Sequence, residues 1–191
     1  MFEPQYSGAA APFSRVLAVD SVGEAGHHIK YQASEAECAA LAELDGLVAL
    51  RDLVIEADVS RRGRAGLYAK GRVTAFVTQT CVVSLEPFEA KVEEPFEIEF
   101  APQAEAEAAY EKAMAEIDAA SDKALALAEQ KDPPDPIIDG KVDFGALAAE
   151  FMALGLDPHP RKPGVNFAEI LEPAIEEKPS PFAALAKFKP D

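Results

Sequence analysis

The chain has no tryptophan and only two cysteines, Cys38 and Cys81, among its 191 residues. Because the two cysteines fall on different predicted elements, a disulfide framework is not expected, and a reducing cytoplasm suits this composition. No apolar run approaches the roughly 20 residues that a membrane-spanning helix needs. The N-terminal residues also lack the charged start and the long apolar stretch of a signal peptide. We therefore expect a cytoplasmic protein with no membrane partner.

Sequence motifs for catalysis and for cofactor binding are missing as well. The glycines of the segment 63–66 are too close together for a phosphate-binding loop, and they precede a predicted strand instead of a helix. Neither Gly-x-Ser-x-Gly nor His-Glu-x-x-His occurs. His27 and His28 follow a glycine-rich turn, and an exposed loop is the simplest interpretation of that pair. We expect no enzyme activity, no cofactor, no metal and no small-molecule substrate.

Positive charge is scarce, since 18 lysines and arginines against 34 acidic residues give a formal net charge of −16. The residues between Asp58 and Glu86, which we call the basic segment, nevertheless contain no acidic residue. The cations of this segment are Arg61, Arg62, Arg64, Lys70 and Arg72. Such a concentration favours an anionic partner such as nucleic acid. A hairpin that offsets acidic neighbours within the fold would give the same pattern.

Two aromatic residues of the basic segment share a predicted strand face with two of its cations. A period of two places Tyr68 and Phe76 beside Lys70 and Arg72, opposite the apolar face. Several RNA-binding sheets hold bases on rings next to cations in this way. The alternative is that the rings form a second core face covered by a helix. Both interpretations stay open at the level of sequence.

Alternation of apolar and polar residues predicts an antiparallel sheet. Residues 13–20 and 53–59 read as strands, a turn follows at 61–66, and another strand runs from 67 towards 80. The next strand, 88–100, places its even-numbered apolar residues in the core and its odd-numbered charged residues in water. Glu94 and Pro95 interrupt this strand and predict a bend or bulge near a sheet edge. Cross-strand ion pairs with the glutamates of this strand would neutralise part of the basic segment.

Helical patterns complete the predicted fold. A capping box at Ser34 and Glu37 starts a helix over about 35–45. The alanine- and glutamate-rich residues 103–130 predict a helix, and 101–139 hold ten acidic residues against three lysines, which indicates an acidic insertion or arm. Asp143 predicts the cap of another helix, and residues 182–188 predict a short terminal one. We expect a single α+β domain over 1–191: an antiparallel sheet or partly open barrel, a helix after the first strand, the acidic helical arm and C-terminal helices.

Three blocks of sequence carry a resemblance to a known family. Residues 73–88 end in TCVVSLEPF, residues 140–164 form a helix-like segment with a proline-rich exit, and residues 179–189 read PSPFAALAKFK. In this order they resemble the YceD-like family, the bacterial large ribosomal RNA subunit accumulation proteins. The family motif falls on Cys81, Pro87, Phe88, Pro181, Phe182 and Leu185. The family can carry a second cysteine where this chain has Ser84, so a zinc site, which usually needs four Cys or His ligands, is not expected here.

The resemblance implies a ribosome-biogenesis factor that supports accumulation or processing of 23S, the large-subunit ribosomal RNA. One hypothesis is that it binds precursor RNA through the cations of the basic segment together with Arg161 and Lys162 on the proline-rich loop. The alternative is an acidic protein-binding module, or escort, for a basic large-subunit ribosomal protein, which the acidic arm would suit. Replacing the basic residues and deleting the acidic arm would discriminate between the two hypotheses.

Overall fold

The computed structural model describes residues 11–121 and 131–165. An open five-stranded sheet has the spatial order β2 (His27–Gln32), β3 (Ala49–Arg62), β4 (Gly66–Thr80), β5 (Pro87–Pro102) and β6 (Asp135–Ile137). Two short strands, β1 (Val16–Ala18) and β7 (Lys141–Asp143), form a separate antiparallel pair. The helices of the described residues are α1 (Glu35–Leu44), α2 (Gln103–Ala119) and α3 (Phe144–Leu154). The α+β class is therefore confirmed, with an open sheet and no closed barrel.

The long strands β3, β4 and β5 form the antiparallel centre of the sheet. The predicted period of two is confirmed in β4, where Val73, Ala75 and Val77 are buried while Thr74 and Phe76 are half-exposed. In β5 the glutamates at 89, 93 and 97 face solvent, as expected. β6 instead pairs with β5 in parallel, because α2 lies between them in the chain and makes the crossover connection that parallel strands need.

The bulge of the sheet lies in β3 and not in β5. The register between β3 and β4 shifts between Arg51 and Val54, where Asp52 has a φ of 54°. The expected bulge at Glu94 and Pro95 is wrong, since β5 keeps a continuous register with β4 through both residues. The expected edge position is right, because β6 pairs with β5 only at residues 100–102, and a strand with one free edge tolerates proline.

The strand β2 is missing from the sequence prediction. Ile29 is its one fully buried residue, so the alternation is too weak to recognise. His27 and His28 consequently lie on an edge strand and not in a loop, and α1 follows the second strand instead of the first. The first strand is also shorter than predicted, because a 3-10 turn at Val19–Ser21 replaces its end.

α1 begins at the predicted capping box, and that box is joined to the N-terminal segment. The Ser34 backbone N–H donates to Glu37 Oε2 at 2.8 Å, and the Glu37 N–H donates to Ser34 Oγ at 3.3 Å. The Arg15 guanidinium also donates to both Glu37 oxygens, at 2.8 and 3.0 Å. These hydrogen bonds, that of Arg15 foremost, lower the pKa of Glu37 to about 2. One carboxylate thereby caps α1 and joins it to the N-terminal segment.

α3 packs on the buried face of the sheet, which we call the inner face. Asp143 Oδ1 accepts from the N–H groups of Gly145 and Ala146, so the predicted cap is confirmed. The rings of Phe96 in β5 and Phe151 in α3 lie 5.2 Å apart. A Cβ at Gly145 would lie 2.6 Å from the Arg15 nitrogen, so glycine is what allows this helix to approach the N-terminal segment so closely.

α2 is shorter than the predicted helix over 103–130. It ends at Ala119, and Ala120 already has an extended backbone with φ −72° and ψ 142°. Residues 122–130 lie outside the described residues, as does the predicted terminal helix at 182–188. In the described ranges, 11–121 and 131–165, none of the helices has the length and apolar character needed to cross a membrane.

Candidate interaction surfaces

The solvent-facing side of the sheet, which we call the outer face, is built from cross-strand rows of alternating charge. One row runs from His28 through Asp58 and Lys70 to Glu97. His28 Nδ1 lies 2.8 Å from Asp58 Oδ1, and Lys70 Nζ lies 3.1 Å from Glu97 Oε2. The basic segment therefore faces carboxylates on both neighbouring strands.

A second row contains Lys30, Glu56 and Arg72. Lys30 Nζ lies 3.2 Å from Glu56 Oε2, and it lowers the pKa of Glu56 more than Arg72 does. Arg72 forms no salt bridge with the described residues, but it also lowers the pKa of Glu93, after the larger effect of Lys91. Arg72 is thus close enough to Glu56 and Glu93 to lower the pKa of each, but it forms a salt bridge with neither.

The paired positions of β2 to β5 leave the outer face without net formal charge. Counted by strand register, the outer-facing cations are Lys30, Arg51, Arg62, Lys70, Arg72 and Lys91. The outer-facing carboxylates are Glu56, Asp58, Glu89, Glu93, Glu97 and Glu99. Six charges of each sign cancel. The predicted neutralisation of the basic segment by the β5 glutamates is confirmed for Lys70 with Glu97 and for Arg62 with Glu99, the latter at 3.3 Å.

The three arginines of the β3–β4 turn have different surroundings. Arg61 points to the inner side, where its Nε donates to the Val22 carbonyl at 2.6 Å and its Nη2 donates to the Val19 carbonyl at 3.3 Å. Arg62 pairs with Glu99 on the outer face. The Arg64 side chain is exposed and forms no salt bridge with the described residues. Arg61 is therefore a brace for the residues that follow β1, and nothing in the sequence pattern distinguishes it from its neighbours.

The two rings of the outer face are partly covered by charged side chains. The Arg51 guanidinium lies 4.3 Å from the centre of the Phe76 ring and is held there by Glu89, 2.8 Å away. Glu97 accepts a hydrogen bond from Tyr68, which raises the pKa of the phenol. The helices α1 and α3 contribute their buried residues to the core on the inner face. In residues 11–121 and 131–165, the rings therefore do not form the second core face that was the alternative to a binding surface.

The turn between β4 and β5 holds the family-motif residue Cys81. Its Sγ accepts from the N–H groups of Val83 and Ser84, both at 3.4 Å, and of Lys162, at 3.3 Å. The Ser84 hydroxyl and these N–H groups lower the pKa of the buried thiol to about 6. Val82, the next residue in the turn, is 47% exposed although it follows a buried cysteine.

The proline-rich loop packs on this turn. The Val82 N–H donates to the Pro160 carbonyl at 2.9 Å, and Lys162 Nζ lies 2.7 Å from Glu86 Oε2. Arg161 and Lys162 thus lie beside the end of β4 where Thr80 is, whereas the turn arginines lie at its beginning. β4 has 15 residues, and at about 3.3 Å per residue its ends are roughly 46 Å apart. The two groups of candidate RNA contacts do not form one compact site.

Among residues 11–121 and 131–165, no cluster of three or more His, Cys, Asp or Glu side chains has the geometry to hold a metal ion. Cys81 and the motif residues Pro87 and Phe88 lie at the β4–β5 turn and the start of β5. The motif residues Pro181, Phe182 and Leu185 lie outside the described residues.

The helix α2 presents an acidic surface with partly exposed apolar residues. Its buried residues are two alanines, Ala106 and Ala113. Tyr110 is 47% exposed and Met114 is 40% exposed. Tyr110 and Met114 therefore do not anchor this helix, which packs against β5 and β6 with its two alanines buried.

Comparison with known families identifies the class of protein to which this fold belongs. The model of one family, described as large ribosomal RNA subunit accumulation protein YceD, matches residues 69–189. That match spans more than half of the chain, from β4 through the Cys81 turn and α3 to the C-terminal motif, so the protein belongs to the YceD family. Comparisons with curated proteins and with solved structures find no match. The family description connects the protein with large-subunit ribosomal RNA accumulation, a role in ribosome biogenesis.

Proposed function

We propose that this protein supports large-subunit ribosomal RNA accumulation by escorting a basic ribosomal protein, and not by holding precursor RNA on its sheet. The observation that carries this proposal is the neutral outer face. Lys70 and Arg62 are paired with β5 glutamates, and Arg61 is occupied by backbone carbonyls. The cations that suggested RNA binding are thus largely used within the fold.

Electrostatics favours a basic partner over an anionic one. RNA binding without base recognition depends on several phosphate contacts by cations that are not otherwise neutralised. The formal net charge of −16 repels phosphate and attracts a basic protein at long range. An escort that delivers one basic component of the large subunit would support accumulation of the RNA without touching it.

Direct RNA binding remains the competing hypothesis, and specific residues would carry it. Arg64 and Arg72 form no salt bridges with the described residues, and Arg161 is exposed on the proline-rich loop. RNA bound through these side chains would have to approach the sheet past the β5 glutamates. The two hypotheses therefore predict opposite outcomes for substitution of Arg64 and Arg72.

The test uses the full chain and two labelled ligands at several salt concentrations. One ligand is a fragment of large-subunit precursor RNA, with transfer RNA as its control. The other is a set of purified basic large-subunit ribosomal proteins. We expect saturable binding to at least one ribosomal protein, and we expect precursor RNA to bind no better than transfer RNA.

The matched variant for this test is Arg64→Gln with Arg72→Gln. It should leave binding to the ribosomal protein intact. If wild-type protein binds precursor RNA specifically, and this variant lowers the salt slope of binding by about two units, the RNA hypothesis is correct instead. Binding to no ribosomal protein would also refute the escort proposal.

A further inference from the structure

The exposed flank of α2 carries an apolar row next to an acidic row. Residues four apart lie on the same side of a helix, which pairs Tyr110 with Met114 and Glu107 with Glu111. The apolar pair is 47% and 40% exposed, and both glutamates are exposed. Among the exposed large apolar side chains of the described residues, these two lie one helical turn apart on the same helix.

The buried alanines define how these rows are oriented. At about 100° per residue, Tyr110 and Met114 lie roughly 40° and 80° around the helix from Ala106. On the same side, Glu107 and Glu111 lie farther round, at roughly 100° and 140°. The order across the surface is therefore the buried alanines, the apolar row, and then the acidic row. The apolar row lies between the packed side of α2 and a line of negative charge.

We propose that this α2 surface, formed by Glu107, Tyr110, Glu111 and Met114, is the docking site for a cationic amphipathic segment of the escorted protein. This inference rests on the proposed escort function and assigns it to one surface. The charge of the surface selects the occupant, because the glutamates attract lysine and arginine and repel phosphate.

The side chains of the α2 surface match such a segment in detail. The aliphatic stems of lysine and arginine cover apolar surface while their charged ends reach neighbouring carboxylates. Tyr110 also offers a ring face to a cation, and the flexible Met114 adapts its packing to different partners. Glu111 forms no salt bridge with the described residues, so it is available to a partner. Glu107 accepts from the Gln103 side-chain amide at 2.9 Å, a neutral contact that a cation can displace.

The two rows are tested by separate double variants in the full chain, using the ribosomal protein that binds the wild type. Glu107→Lys with Glu111→Lys reverses the acidic row, and Tyr110→Gln with Met114→Gln removes the apolar row. The matched control is Glu105→Lys with Glu116→Lys, which changes the net charge equally but lies on the opposite flank of α2. Circular dichroism and thermal unfolding establish that each variant is folded.

We expect each test variant to weaken binding by about tenfold or more, and the control by less than about threefold. Equal weakening by all three variants overturns the assigned surface while leaving the escort function intact. Failure of the wild type to bind any basic ribosomal protein refutes the escort function itself. A large drop in melting temperature for Tyr110→Gln with Met114→Gln would show that this chain covers its own apolar row. Loss of a wild-type dimer in that variant would show that a second copy does so. Either result overturns the proposal.

Discussion

The structure gives Arg61 a different role from the one that the sequence suggests. The sequence groups it with Arg62 and Arg64 as a phosphate contact, yet its guanidinium lies under the turn and binds the Val19 and Val22 carbonyls. We predict that Arg61→Ala destabilises the fold. A loss of ligand binding in a variant that replaces Arg61, Arg62 and Arg64 together would then include an effect of lowered stability as well as of lost contacts.

The size of the effect follows from the two carbonyls. The Val22 carbonyl accepts from Arg61 Nε at 2.6 Å and from no other donor in residues 11–121 and 131–165, while the Val19 carbonyl also accepts from the Val22 N–H at 3.1 Å. Of the two carbonyls, only that of Val22 therefore loses its partner. Asp20, 3.7 Å from Arg61 Nη2, also loses an ion pair, but its side chain is fully exposed and stays hydrated, so this loss adds little. A hydrogen bond from a charged donor contributes about 1.5–3 kcal/mol. Because the Arg61 side chain is 29% exposed, water can partly replace it, and we expect the lower part of that range, about 1.5–2 kcal/mol.

Urea denaturation followed by circular dichroism measures this loss of stability. The matched control is Arg64→Ala in the same turn, which should change the free energy of unfolding by less than about 0.5 kcal/mol. Arg61→Lys should be intermediate, since an ammonium cannot reproduce the fork of a guanidinium. If Arg61→Ala and Arg64→Ala unfold at the same urea concentration, the brace has no energetic role and this reasoning is wrong.

Three further predictions concern packing and ionisation. Gly71→Ala should cost about 1–3 kcal/mol, because its Cβ would clash with the Glu56 carbonyl oxygen and lie 2.6 Å from the Ala57 Cβ. Gly23→Ala, with nothing within 4 Å, should be nearly neutral in the same denaturation assay. The pKa of Glu37 is lowered to about 2, so the ionised Glu37 contributes to the free energy of unfolding in full above pH 4.5, and this contribution is lost as the pH falls towards 2. An acid titration in which Glu37→Gln loses stability in parallel with the wild type would contradict this prediction. The thiolate absorbance of folded protein near 240 nm should titrate at about pH 6 and vanish in Cys81→Ser. The same depressed pKa of Cys81 makes wild type gain stability relative to Cys81→Ser as pH rises from about 6 to 9.

Metal content gives a check on the Cys81 turn that is independent of its ionisation. Hydrogen bonds from Ser84, Val83 and Lys162 already surround the sulfur, and Ser84 stands where a second cysteine ligand would be needed. We expect purified protein to contain no stoichiometric zinc, and Cys81→Ser to leave the metal content unchanged. Stoichiometric zinc by elemental analysis of the wild type would show that residues outside the described ranges complete a site.

Structural features that depend on residues close together in the chain could be predicted from the sequence. The capping box at Ser34, the Asp143 cap and the alternation of β4 and β5 each arise within a few residues, where helix and strand geometry dictates which groups meet. The β3–β4 hairpin is of the same kind, because a short turn joins two strands that alternate. The family motifs at residues 73–88, 140–164 and 179–189 were likewise visible as sequence, and they indicated the family that the comparison confirms.

The register between neighbouring strands and the contacts between distant segments of the chain were decided only by the tertiary structure. Whether Lys70 faces water or Glu97 depends on how β5 slides along β4, which no local pattern determines. Arg61 and Arg64 look alike in sequence, yet the segment at Val19–Val22 packs beneath one and not the other. The Cys81 sulfur meets a backbone N–H from 81 residues away. Local sequence thus specified the long central strands, the helix starts and the family. The availability of the charges to a partner depends on contacts between distant segments, which exist only once the core has formed.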